Sequence, residues 1–154
     1  MSRPFCHLFE GLSEMQFERL DALMEEISVK KGERLFREGE AAELLYCIKQ
    51  GAVEMLTAID DHIELPIAIL RSEGGYLGMS SLVPPYIYSL SARSYEDSIL
   101  TVIKRKRLME QIKDDPEMGY FIMSNLAKTF LDRLKETRQE VKIHFKTLFK
   151  VMQF

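Results

Sequence analysis

Apolar positions in this chain follow two different periods. Over residues 13–27, Met15, Phe17, Leu20, Leu23, Met24 and Ile27 recur mostly at helical spacing, which predicts a short amphipathic helix. Ser13 is its expected N-cap, and Gln16 three residues later completes a capping box. From 29 to 103 the period shortens into strand-length runs, among them LLYCIKQ, AVEMLTA, HIELPIAIL, YSLSARS and SILTVI, separated by Gly, Asp, Pro or Ser. About eight short strands are expected. LLYCIKQ and AVEMLTA around Gly51 read as a hairpin, Asp60 and Asp61 as the tip of the next turn, and Pro66 as an edge or a bulge. The helical period then returns, briefly over 107–112 and again from Pro116, where Asp115 serves as cap.

The last segment carries a long seam. Met123, Ala127, Phe130, Leu134, Thr137, Val141, His144, Leu148 and Val151 alternate by four and three residues for about four heptads. Such a seam closes naturally on a second copy across a twofold axis, so a homodimer through this helix is expected. Tyr120, Phe121, Leu126 and Leu131, off the seam, are expected to pack back on the β part. The fold class is therefore mainly β with α: a double-stranded β-helix jelly roll with an N-terminal helix and a long C-terminal dimerisation helix. The chain divides into 1–112, roll and N-terminal helix, and 113–154, dimer helix and tail.

With 154 residues and a formal net charge of −3, the chain is a single domain with one appended element and lacks the basic surplus of a general nucleic-acid binder. The run Lys104, Arg105, Lys106, Arg107 reads as a solvated helix start. Lys128, Arg133, Lys135 and Arg138 alternate with Glu117, Asp132, Glu136 and Glu140 in the manner of surface i to i+4 pairs. Cys6 and Cys47 have no CxxC spacing, which excludes a disulfide framework and a zinc site and fits a reducing cytoplasm. The N-terminus is too short and polar for a signal peptide, no apolar run approaches ~20 residues, and no membrane association is expected. No two of the three His are close, and GxSxG, GxxxxGK[ST] and HExxH are all missing, so no enzyme class and no cofactor is supported.

The order of GERLFREGEAAELLYCIKQGAVEML, the loop GGYLGMSSL, a strand carrying SAR and a long final helix resembles the effector domain of Crp/Fnr-type regulators, members of the cyclic-nucleotide-binding-domain family. The resemblance spans nearly the whole chain. It implies a nucleotide held inside the roll, its phosphate against backbone N–H groups at the start of a one-turn helix, an arrangement suited to anions. By position that cradle is Gly78, Met79, Ser80, Ser81 and Leu82, with Tyr86, Ile87 and Tyr88 completing the ligand-facing stretch. The family's ribose-binding Glu falls at Met79 and its phosphate-binding Arg at Tyr86.

A buried phosphate without a cation forfeits roughly 1.5–3 kcal/mol. With the carboxylate also gone the deficit reaches about 3 kcal/mol, roughly a hundredfold in affinity. Tight cAMP binding is therefore not expected. Arg93 is expected to face solvent or a neighbouring acid. The leading reading is a non-enzymatic, dimeric, cytoplasmic sensor or adaptor with a degenerate pocket for a small apolar or weakly anionic effector, or a roll plugged by Met79, Tyr86 and Tyr88. The alternatives are a haem- or other small-ligand-sensing regulator, with ligands drawn from His7, His62, His144, Cys6 and Cys47, and a working cyclic-nucleotide-binding regulatory subunit. Bland roles suit those five residues better: a mobile N-terminus for Cys6 and His7, a solvated turn for His62, a core position for Cys47 and a register-setting seam position for His144. The sequence stops at Phe154 with no helix-turn-helix, so direct DNA binding is not expected. The apolar tail, Phe145, Leu148, Phe149, Val151, Met152 and Phe154, packs in the dimer or docks a protein partner.

Overall fold

A computed structural model describes residues 6–71 and 73–153; Phe154 of the apolar tail lies outside them. Eight antiparallel strands form two four-stranded sheets. They are β1 (Glu25–Val29), β2 (Arg34–Phe36), β3 (Leu44–Gln50), β4 (Val53–Ala58), β5 (Glu64–Leu70), β6 (Tyr76–Leu77), β7 (Ser91–Ser94) and β8 (Ser98–Lys104). One sheet runs β1-β8-β3-β6 and the other β2-β7-β4-β5. Helix α1 (Glu14–Asp21) precedes them, and α2 (Arg105–Asp114) and α3 (Pro116–Met152) follow. This is the jelly-roll architecture with flanking helices that the sequence predicts.

The period of two explains how β3 is buried on both faces. Tyr46 and Ile48 point between the sheets, where they join Phe36, Val53, Met55, Leu77, Ala92, Leu100 and Val102. Leu45 and Cys47 point the other way, into a second core with Leu8, Phe9, Leu20, Ile103, Leu108, Met118, Ile122 and Leu126. That outer core fastens the N-terminal segment and all three helices to the first sheet.

Several expectations hold in detail. The Ser13 side chain accepts from the Gln16 N–H at 3.2 Å while the Gln16 side chain accepts from the Ser13 N–H at 2.9 Å, a complete capping box. Asp115 caps α3 at the Met118 N–H, 3.2 Å away, and its other oxygen accepts from Gln16 Nε2 at 3.1 Å. Pro66 sits on the edge strand β5, opposite Leu56, where the register with β4 shifts.

Others require correction. α1 ends at Asp21, and Ile27 belongs to β1, paired with Leu100 of β8; the strand's alternation and the helix's spacing coincide at that residue. β3 and β4 do not form a hairpin. At Gly51 the chain leaves one sheet for the other, β3 pairing β8 and β6, and β4 pairing β5 and β7. A short glycine turn between two apolar runs is equally the signature of a corner between sheets. Cys6 is buried, and the His7 N–H donates to the Gly74 carbonyl at 2.9 Å, so this part of the N-terminus is docked. Finally, α3 packs on the roll through Met118, Gly119, Ile122 and Leu126, whereas Tyr120 and Leu131 are exposed.

Candidate functional site

The loop from β6 to β7 gives the site its frame. Gly78 adopts φ +83°, and a Cβ there would lie 2.8 Å from the Leu44 carbonyl oxygen, so both conformation and space call for glycine. A 3₁₀ turn, Met79–Leu82, follows. The Ser81 hydroxyl donates to the Gly78 carbonyl at 2.7 Å and closes it. Ser81 and Leu82 are buried, Leu82 in the outer core, and neither lines the pocket.

A pocket of about 210 Å³ opens beside this turn, lined by Phe36, Met55, Gly78, Met79, Ser80, Tyr88, Ser89, Leu90, Phe130 and Arg133. Four of the sequence-derived positions thus come together: Gly78, Met79, Ser80 and Tyr88. Tyr88 spans the interior. Its ring stacks on Phe36 with centroids 3.8 Å apart, and its hydroxyl donates to the Leu44 carbonyl at 2.7 Å while accepting from the Leu44 N–H at 3.3 Å. Burial raises the pKa of this phenol well above the ordinary tyrosine value, against the smaller opposing effect of the hydrogen bond to Leu44.

Tyr86 and Ile87 are placed elsewhere. Tyr86 has φ +60° and accepts the Ala42 N–H at its carbonyl. Its ring faces the start of α2, with the Arg105 guanidinium 4.4 Å from the centroid. Ile87 is exposed and forms an isolated bridge with Ala41. Arg93 pairs with Glu54 at 2.8 Å, in keeping with an outward role facing an acid.

Sequence reasoning missed Phe130 and Arg133. Both come from α3, one turn apart, and both close the pocket from the helix side. Arg133 had been counted among the surface bases of that helix; its spacing of three from Phe130 and seven from Leu126 places it on the roll-facing stripe. The same side chain borders a wider surface groove with Tyr76, Asn125 and Thr129, in which the Tyr76 and Thr129 hydroxyls are hydrogen-bonded to each other.

Of the five residues considered for haem, Cys6 and Cys47 lie against each other in the outer core, where burial and then the Cys47 neighbour push the Cys6 thiol well up, while His7, His62 and His144 are exposed on separate elements, the N-terminal 3₁₀ turn, the β4–β5 turn and α3. Among the described residues no group of three or more His, Cys, Asp or Glu is arranged to hold a metal ion, and no helix is long and apolar enough to cross a membrane.

Comparison with known proteins agrees with this geometry. The cyclic nucleotide-binding domain family matches residues 26–115. The anaerobic regulatory protein of Bacillus subtilis is 26% identical over 132 residues, 84% of this chain and 54% of the relative; the chain spans about half the length of that protein. Catabolite activator protein from Thermus thermophilus superposes with a TM-score of 0.73 at 25% identity, covering 89% of this chain and 62% of that one. A cyclic nucleotide-binding domain from Methylobacillus flagellatus gives a TM-score of 0.76 at 20% identity, over 86% and 74% of the two chains, a likeness of fold.

Proposed function

This chain belongs to the cyclic nucleotide-binding domain family, as its resemblance to Crp/Fnr-type regulators implies, and from that membership we propose that it is a non-enzymatic, dimeric sensor or adaptor whose pocket has lost tight affinity for cAMP. The observation that carries this reading is Tyr88. Its ring and hydroxyl take up the interior beside the Gly78 turn, held by Phe36 on one side and the Leu44 backbone on the other. Met79 stands where the family's carboxylate would be. Tyr86, at the position of its arginine, is turned toward Arg105 instead. A pocket of about 210 Å³ is also below the roughly 300 Å³ at which sites for drug-sized ligands begin.

Calorimetric titration with cAMP and cGMP tests this directly. No heat of binding at micromolar ligand is expected, and a dissociation constant of micromolar or tighter overturns it.

Dimerisation is supported by the outer half of α3. Beyond Leu134 its apolar residues Val141, Ile143, Phe145, Leu148, Phe149, Val151 and Met152 are all exposed in the single chain, more apolar surface than an isolated helix keeps in water. A second copy of α3 is the occupant that the a/d spacing selects. The roll, 1–112, then senses, and the helix and tail, 113–154, couple two rolls. Sedimentation equilibrium yielding only monomer at micromolar concentration overturns this part.

A further inference from the structure

Building on the reading of this pocket as one that no longer takes cAMP, we infer that it binds a small apolar monocarboxylate, with the Arg133 guanidinium holding the carboxylate. The lining is apolar on most sides, through Phe36, Met55, Met79, Leu90, Phe130 and the ring of Tyr88. Its remaining polar side chains are the hydroxyls of Ser80 and Ser89, 3.5 Å apart, and the single cation of Arg133. Among the described residues no carboxylate side chain lines it. The Tyr88 hydroxyl is already engaged with Leu44.

Arg133 makes no hydrogen bond and no close ion pair with a described residue. It is partly buried, and loss of solvent outweighs the favourable influence of Tyr76 and Glu136 on its charge. Its nitrogens reach solvent on the side of the groove that it shares with Glu10, Asp132 and Glu136, and its guanidinium presents a planar fork of donors suited to a carboxylate. One cation beside an apolar lining suits one negative charge, and a phosphate monoester would bring a second, poorly solvated one; a cyclic phosphodiester also carries a single charge and is set apart by its size. Size sets the rest. The volume of about 210 Å³ equals that of about seven water molecules in the liquid, enough for a short branched or monocyclic carboxylate and too little for a nucleotide while Tyr88 holds its place. Phe130 and Arg133 bring this chemistry from the helix and leave the loop's phosphate frame without a role in it.

The experiment is calorimetric titration of the intact chain with benzoate and with 4-methylpentanoate, each against its neutral amide, and with cAMP in parallel. The carboxylates are expected to bind at least tenfold more tightly than their amides. Arg133→Gln should weaken them at least tenfold and Arg133→Lys less, with unchanged far-UV circular dichroism. Equal binding of acid and amide, undiminished binding by a folded Arg133→Gln variant, or no carboxylate binding at millimolar concentration overturns the inference. Should the variant fail to fold, the acid–amide comparison on the unaltered chain decides alone. The outcomes also separate the two readings: silence from carboxylates and cAMP alike defeats this inference only, while micromolar cAMP binding by the unaltered chain defeats the proposed loss of nucleotide affinity.

Discussion

The rings of Tyr88 and Phe36 are stacked 3.8 Å apart with their planes 12° from parallel, so the loop that would carry a nucleotide's ligands is instead joined to the core by an aromatic pair. Tyr88→Ala removes that pair and leaves a void in a buried position. A loss of about 3–5 kcal/mol of folding stability is expected, as for other large aromatic truncations, read by urea denaturation. Tyr88→Phe keeps the stack but deletes the bond to the Leu44 carbonyl, and should cost about 1 kcal/mol.

Gly78→Ala tests the turn. The residue sits at φ +83° with the Leu44 carbonyl 2.8 Å from any added Cβ, so strain and crowding act together. Stability should fall by about 1–3 kcal/mol, a drop of about 2–4 °C in Tm for each kcal/mol in a chain of this size. A scanning calorimeter reads it, and an unchanged Tm contradicts the account.

On the α3 seam, Leu134→Lys combined with Val141→Lys places two cations where apolar side chains would meet across a twofold axis. Both positions are exposed in the single chain, so the fold should survive while the dimer dissociates at least a hundredfold more readily. Sedimentation equilibrium with circular dichroism distinguishes this from unfolding.

Alkaline titration has a fixed sign. Burial raises the phenol pKa of Tyr88, and to a smaller extent those of Tyr46 and Tyr76. Above the unfolded tyrosine value, about 10, the native state holds protons that the unfolded chain has released, so stability declines as pH rises further. Tyr88→Phe should flatten that decline in a series of urea titrations from pH 9 upward.

The acid side runs the other way. The hydrogen bonds from Arg34 to Glu64, the shorter 2.6 Å long, hold the Glu64 carboxyl below its usual range, and Gln16 and the Met118 N–H do the same for Asp115. Stability from both is present at neutral pH and is lost as pH falls through the lowered native values. Glu64→Gln should make the acid limb of the same stability curve shallower.

Much of this was legible from residue order alone. Ser13 with Gln16 and Asp115 with Pro116 mark helix starts because the side chains that satisfy free N–H groups are local in sequence. The strands between 29 and 103 announce themselves as short runs rich in apolar residues, broken by Gly, Asp, Pro or Ser. Partners were harder to read. Whether β3 continues into β4 as a hairpin or turns a corner depends on which sheet has room, and no spacing around Gly51 encodes that. Tyr86 falls at the position of the family's arginine, yet its left-handed φ turns the side chain out toward Arg105, and a conformation with positive φ at a non-glycine residue leaves no trace in the pattern. Arg133 hid for another reason: on a helix with bases and acids on most turns, only its distance from Leu126 and Phe130 marks it as roll-facing.

α3 runs as one helix for 37 residues, from its Asp115 cap to Met152. Arg133 and Phe130 touch the pocket near its middle, and about 20 further residues, roughly 30 Å of helix, extend past them without a proline or glycine. Such a rod behaves as a lever. A tilt of about 5° at the pocket wall would swing the far end by roughly 3 Å over that length, so a displacement slight at the roll is magnified at the tail.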